Sequence, residues 1–204
     1  EISRCDWSSD VCSSDLGNKE KAGEYARMVI EQVNKGSDPL FPLVDATYMG
    51  ANSDRMFSPE VLFSLYNTSR KSVVYDVLFT YSLSTTSILS MAGKRETGRI
   101  SITYDDENDY RYKMWESTVV NNTEVTYLTK FKDETRTGAE AYRYMMPLIR
   151  MSELYLIAAE CETDVQKALD NYFNPLRFSR NCVNQNAIDE DALKNLIRDR
   201  KSVV

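Results

Sequence analysis

MPLIRMSELYLIAAECE, residues 146–162, is apolar around most of a helical circumference. Leu148, Met151, Leu154, Tyr155, Ala158 and Cys161 recur at three- and four-residue spacing and trace one face, which Ile149, Leu156, Ile157 and Ala159 widen. A helix with so little polar surface has to be buried, so the spacing predicts a central, covered helix over 146–162. Downstream, Asp164 is placed to cap a second helix through Val165, Ala168, Leu169 and Tyr172. That helix is expected to end near Asn174-Pro175, because proline offers no N–H and crowds the preceding turn. A last helix is expected from about Asp189 to Arg198.

Upstream, NKEKAGEYARMVIEQVNK (18–35) carries one apolar stripe of Ala22, Tyr25, Ala26, Val29, Ile30 and Val33. Gly36 follows where a left-handed helix cap belongs, and Pro39 comes soon after. The small Ala22 and Ala26 would let a partner helix approach closely, as between neighbours in a stacked helical repeat. The next thirty residues are punctuated by Pro, Gly, Asn and Ser and read as loop. Ser58-Pro59-Glu60 opens an apolar run to Tyr66 that reads equally as a helical turn or an extended segment. Residues 71–92 show no clean period. From Gly98 the character turns strand-like: ISITY (100–104), YRYKMWE (110–116) and EVTYLTKF (124–131) are β-branched and aromatic, with a turn expected at Asn121-Asn122. The expected architecture is therefore mainly α, a TPR-like helical scaffold with long loops and a small antiparallel β excursion around 98–131.

The two ends differ from the rest. EISRCDWSSDVCSSDL (1–16) has no apolar period, and its DWSSDVCSSDL run resembles the translation of a short-read sequencing adapter. DRKSVV (199–204) resembles the reverse complement of the partner adapter. Both are expected to be foreign, like a cloning scar, leaving residues 17–198 as a native part truncated on both sides. The full chain of 204 residues has 25 Lys plus Arg against 31 Asp plus Glu. Setting aside Arg4, Arg200 and Lys201, and Glu1, Asp6, Asp10, Asp15 and Asp199, leaves 22 against 26, a net charge of −4. That mild acidity carries no basic footprint for nucleic acid. Cys5 and Cys12 fall in the first segment, and the remaining Cys161 and Cys182 are too few for a disulfide framework. Cys161, inside the apolar run, reads as a small buried hydrophobe. No stretch of 18 apolar residues is present to span a bilayer.

The chain has no histidine, which excludes Ser-His-Asp triads, Cys-His pairs and His-dependent metal sites. It has no phosphate-binding glycine loop either. Asp105-Asp106-Glu107-Asn108-Asp109 is the densest acidic run; it lacks the glycine and distal glutamate of an EF-hand loop, and reads as a solvated turn between two strands rather than a calcium site. No metal and no cofactor is expected. The thirteen tyrosines stand out. Flat aromatic faces hold sugars by packing against the axial C–H bonds of the ring, which makes Tyr48, Tyr110, Tyr112 and Trp115 the candidate ligand-binding residues. Packing as core or sheet pairs is the alternative reading of each.

MPLIRMSELYLIAAE (146–160) closely resembles the signature of the SusD/RagB family, with Pro147, Arg150, Ser152, Glu153, Leu156, Ala159 and Glu160 at the matching positions. Weaker echoes fall in the family's order: AGEYARMVIEQV, FSPEVLFSLYN, DYRY with Asp109 and Arg111, and KF (130–131) shortly before the signature. NPLRFSRN (174–181) only approximates the run that follows in the family. The resemblance implies a surface-exposed outer-membrane lipoprotein of Bacteroidetes-like bacteria, its N-terminal lipid anchor missing from this fragment. It also implies a lid over a SusC-like TonB-dependent transporter, delivering oligosaccharides or other nutrients without catalysis. Within the signature, Pro147, Arg150, Glu153 and Glu160 are expected to be structural, with Arg150 and Glu153 in ion pairs or hydrogen bonds, because a lone buried charge is costly. A generic helical-repeat interaction module would instead show further helix pairs over 98–131. A glycoside hydrolase would need two carboxylates facing each other across a cleft.

Overall fold

The computed structural model describes residues 18–51, 54–69, 90–130 and 141–202. Helix α1 (Lys19–Val33) is capped by Asn18, whose side chain accepts the Lys21 N–H. Its stripe packs on α5 (Met151–Glu160), where Ala26 meets Met151, Leu154 and Ala158. The approach is close at Gly23, where a Cβ would lie 2.7 Å from the Cβ of Cys161. Gly36 does adopt a positive φ of 104°, but two residues beyond the Asn34 cap.

The opposite face of α5 is covered as well. Leu156 and Ala159 pack with Ala168, Leu169, Phe173 and Leu176, and with Leu193 and Ile197 of α8 (Glu190–Ser202). Burial on two sides is what an all-round apolar helix requires. Asp164 accepts the N–H groups of Gln166 and Lys167 and starts α6 (Val165–Ala168). The helical path then continues, contrary to expectation, through a π-helical turn (Leu169–Phe173) into α7 (Asn174–Ser179). The wider π turn makes room for the Pro175 ring where a regular turn would bring a carbonyl against it. The backbone of α8 runs on to Ser202, past the expected end at Arg198.

One further expectation is corrected, and one left open is decided. Residues 146–150 are strand, not helix: β5 (Met145–Arg150) pairs antiparallel with β1 (Val61–Tyr66) in a two-stranded sheet. Pro147 stands opposite Ser64 there, a place open to proline because each strand of a ribbon has a free edge. The run after Ser58-Pro59-Glu60 proves to be both readings in sequence, a 3₁₀ turn (Ser58–Glu60) and then β1.

ISITY is helical, not extended: α3 spans Arg99–Thr103 and α4 spans Tyr110–Lys113. A strand would put Ile100, Ile102 and Tyr104 on one face. The helix joins Ile100 and Tyr104 in the core and sends Ile102 out, 85% exposed. Packing thus overrides β-branched propensity. The strands of this region are β2 (Ser90–Ala92), β3 (Trp115–Val120) and β4 (Thr123–Leu128), in the antiparallel order β2-β4-β3. Asn121 and Asn122, at φ 49° and 61°, make the expected turn between β3 and β4. The unperiodic residues 71–89 and the end of EVTYLTKF at Phe131 lie outside the described residues. The described residues are mainly α with two small antiparallel sheets, and among them no helix is long and apolar enough to cross a membrane.

The acidic run 105–109 joins two helices and latches onto the chain after α7. Asp105 pairs with Arg177 at 2.5 Å, and Asp106 accepts the Val183 N–H at 2.9 Å. Asp109 is 1% exposed and caps α4 through the Arg111 N–H. Its carboxylate also takes the Arg111 guanidinium at 2.7 Å and the Cys182 thiol at 3.4 Å. Asp105, Glu107 and Asn108 stay exposed and Asp109 is buried, so the run is the expected, largely solvated turn, but between two helices rather than two strands. Among the described residues no group of His, Cys, Asp and Glu is arranged to hold a metal. Cys161 is half-buried, whereas Cys182 is the buried cysteine.

Candidate functional site

A cavity of about 340 Å³ lies where the β2-β3-β4 sheet, α3, α4, α5 and α7 meet. Its apolar wall includes Phe57, Ile100, Met114, Trp115 and Leu128; Arg111, Lys130, Arg150 and Arg180 also line it. Among the described residues no carboxylate belongs to that wall. The balancing carboxylates stand behind the cations.

Arg180 is the most fully housed. Its two terminal nitrogens donate to the two oxygens of Glu60 at 2.6 Å each, and its guanidinium sits 4.2 Å from the Phe57 ring centroid. Glu60 also accepts the Val44 N–H at 2.9 Å, which ties the loop before α2 (Ala46–Ala51) to the site. Phe57 adopts a left-handed φ of 55°, unusual for a bulky residue. Asp54 holds that conformation, its buried carboxylate accepting the N–H groups of Met56 and Ser58 at 2.7 Å.

Burial works against the Arg111 charge, yet the Asp109 carboxylate outweighs it and holds the guanidinium above its ordinary value. Arg150 ends β5 and opens α5; burial, then the nearby Arg180, depress its pKa. Glu153, in the first turn of α5, is raised by burial against the pull of Arg150, whose backbone N–H it accepts. That contact is half of a capping box. Burial, then Arg150, Arg111 and Arg180, push the Lys130 amine down to about 7.

Of the four candidate aromatics, Trp115 alone lines the cavity, its indole N–H donating to the Tyr104 hydroxyl at 3.2 Å. Tyr112 lies one layer deeper, 4% exposed, edge-on to Tyr104 and beneath Arg95. At that burial the Tyr112 ring packs as a core aromatic with Ile100 and Tyr104. Tyr48 and Tyr110 pack together against Val44, Phe57 and Met114. The Tyr48 hydroxyl donates to Asp54 at 2.6 Å, and burial together with that carboxylate pushes the phenol well above its ordinary value. In the signature, Pro147 is in β5 and Glu160 closes α5, half-buried. Sequence reasoning missed Glu60, Arg180 and Lys130 as members of one site. Arg180 falls in a run that only approximates the expected motif, and Glu60 lies 120 residues away from it.

The SusD family profile matches residues 47–201. The chain belongs to the SusD family. Every residue of the cavity wall falls inside the matched SusD region. Among solved structures, the chain is similar to a SusD-like carbohydrate binding protein from Bacteroides vulgatus ATCC 8482, with 18% identity and a TM-score of 0.63. The similarity covers 96% of this chain and 40% of that one, so the likeness is one of fold and the chain spans well under half the neighbour's length. Comparison with curated proteins gives no match.

Proposed function

We propose that this SusD-family chain belongs to a protein that captures glycans at the outer membrane and passes them, unaltered, to a SusC-like TonB-dependent transporter. The match to the SusD family over residues 47–201 carries this reading. The similar Bacteroides vulgatus protein, a SusD-like carbohydrate binding protein, supports a saccharide as the ligand class. Trp115, half-buried at the cavity wall, supports an aromatic contact with a sugar ring. A lipid anchor on the intact protein completes the proposal.

The wall speaks for capture over hydrolysis. A glycosidase needs a carboxylic acid and a carboxylate flanking the bond to be broken. The buried acids Glu60 and Asp109 are each held by an arginine, and neither is among the residues that line the cavity. Titrating the protein with a panel of oligosaccharides in a calorimeter, and chromatographing each mixture afterwards, tests both halves. Saturable heats with intact saccharide are expected. Shortened products would sink the non-catalytic reading, and silence across neutral and acidic saccharides alike would sink capture.

A further inference from the structure

Trp115 is held from two directions. Its backbone lies in β3, opposite Leu128 of β4, and its carbonyl accepts the Arg95 guanidinium at 3.0 Å. Its side chain is held by a different element: the indole N–H donates to the hydroxyl of Tyr104, the residue that ends α3, at 3.2 Å. Both side chains line the cavity.

Tyr104 is itself firmly seated. It is 8% exposed, and its ring stands edge-on to Tyr112 with centroids 5.7 Å apart. The Arg111 guanidinium lies 5.8 Å from the Tyr104 ring centroid, and the Tyr104 backbone N–H donates to the Ile100 carbonyl at 3.3 Å. The hydroxyl that receives the indole N–H therefore projects from a ring fixed by its own packing.

A half-buried indole without such a bond turns about the two bonds that join it to its backbone. A ligand that stacks on it has to stop that motion, and ordering one side chain costs about three- to tenfold in affinity. The hydrogen bond to Tyr104 imposes the order beforehand. It also occupies the single polar group of the indole, so the ring is left to act through its face. Resting on the capture reading above, we propose that Tyr104 is a positioning residue for saccharide binding, its hydroxyl holding the Trp115 indole so that the ring face is set to stack on a pyranose.

Tyr104→Phe isolates this role, since it keeps the ring that packs on Tyr112 and removes only the hydroxyl. Trp115→Phe removes the same hydrogen bond from the donor side while keeping an aromatic face. Calorimetric titration of the intact chain with maltohexaose, cellohexaose, xylohexaose and hexagalacturonate gives the affinities. Tyr104→Phe should weaken binding about three- to tenfold in the chain that has Trp115. It should leave affinity unchanged in the Trp115→Phe chain, where the phenyl ring has no N–H for the hydroxyl to hold. The second readout is optical. The sequence has two tryptophans, so in a Trp7→Phe form all indole emission comes from Trp115. Bound saccharide should shift that emission, and Tyr104→Phe should lower its anisotropy in the free protein.

An equal loss in both backgrounds would mean that the hydroxyl meets the sugar directly, and no loss in either would mean that it does not serve binding. Each result overturns the positioning role and leaves capture standing. So does a low Trp115 anisotropy in the free Trp7→Phe chain that rises when saccharide binds, a result that needs no change at Tyr104. Emission unmoved by a saccharide that calorimetry shows to bind would remove Trp115 from the contact, again with capture intact. No binding by any of the probes would overturn capture and this role with it.

Discussion

Glu60 and Arg180 face each other through two parallel hydrogen bonds of 2.6 Å, both side chains at or below 2% exposure. The pair joins the 3₁₀ turn before β1 to the segment that leaves α7, and so closes one side of the cavity. A buried pair of this kind contributes little over a well-packed apolar pair, but breaking it leaves a charge stranded.

Removing one member should therefore be severe. Glu60→Gln is expected to lower unfolding stability by about 3–5 kcal/mol, because the Arg180 guanidinium stays buried without its carboxylate. Equilibrium urea denaturation reads the loss. The double replacement Glu60→Leu with Arg180→Met should recover most of it, and a double variant no better than the single one would contradict this account.

Lys130 predicts a pH dependence with a definite sign. Its folded pKa is pushed from 10.5 down to about 7, so between those values the unfolded chain holds a proton that the folded chain does not. Stability should rise with pH across that window, and the penalty should be complete below its lower edge. Lys130→Met removes the group, so the wild-type melting temperature should climb relative to the variant from about pH 7 to pH 10. Parallel melting curves over that range would refute the assignment.

Gly23 sets the distance between α1 and α5. A methyl group there would overlap the Cβ of Cys161 at 2.7 Å, a rigid atom that cannot swing aside. Gly23→Ala should destabilise the chain by about 1–3 kcal/mol despite improving helix propensity. Adding Cys161→Gly should restore part of the loss and Cys161→Ala should not, as thermal denaturation followed by far-UV circular dichroism would show.

The β3–β4 turn tests backbone conformation alone. Asn122, at φ 61°, occupies the left-handed region that glycine enters freely. Asn122→Gly should raise stability by about 0.5 kcal/mol, and Asn122→Val should lower it by about 1–2 kcal/mol. Denaturant midpoints for the two variants moving in the same direction would rule out the turn assignment.

The helices read correctly from sequence were those whose information is local. The α1 stripe, the Asp164 cap and the all-round apolar character of α5 each lie within a few turns of chain. The Asn121-Asn122 turn was legible for the same reason. ISITY and MPLIR were misread because propensity and period compete there with partners that sequence does not name. Ile100 and Tyr104 are drawn into one core cluster, and β1 claims the signature's first residues as a strand. Trp115 was legible as a strand aromatic, but its place in a cavity wall was not.

By itself the sequence determined the family signature, the central helix and the absence of histidine chemistry, all set by residue identity and short-range spacing. Tertiary structure alone decided which strands pair, where the acidic run docks, and which cations share a wall. Glu60 and Arg180 carry no mark of one another, since their meeting depends on closing a loop of 120 residues. Such a contact forms only when the buried surfaces of α5 and its neighbours have offset the entropy of that closure.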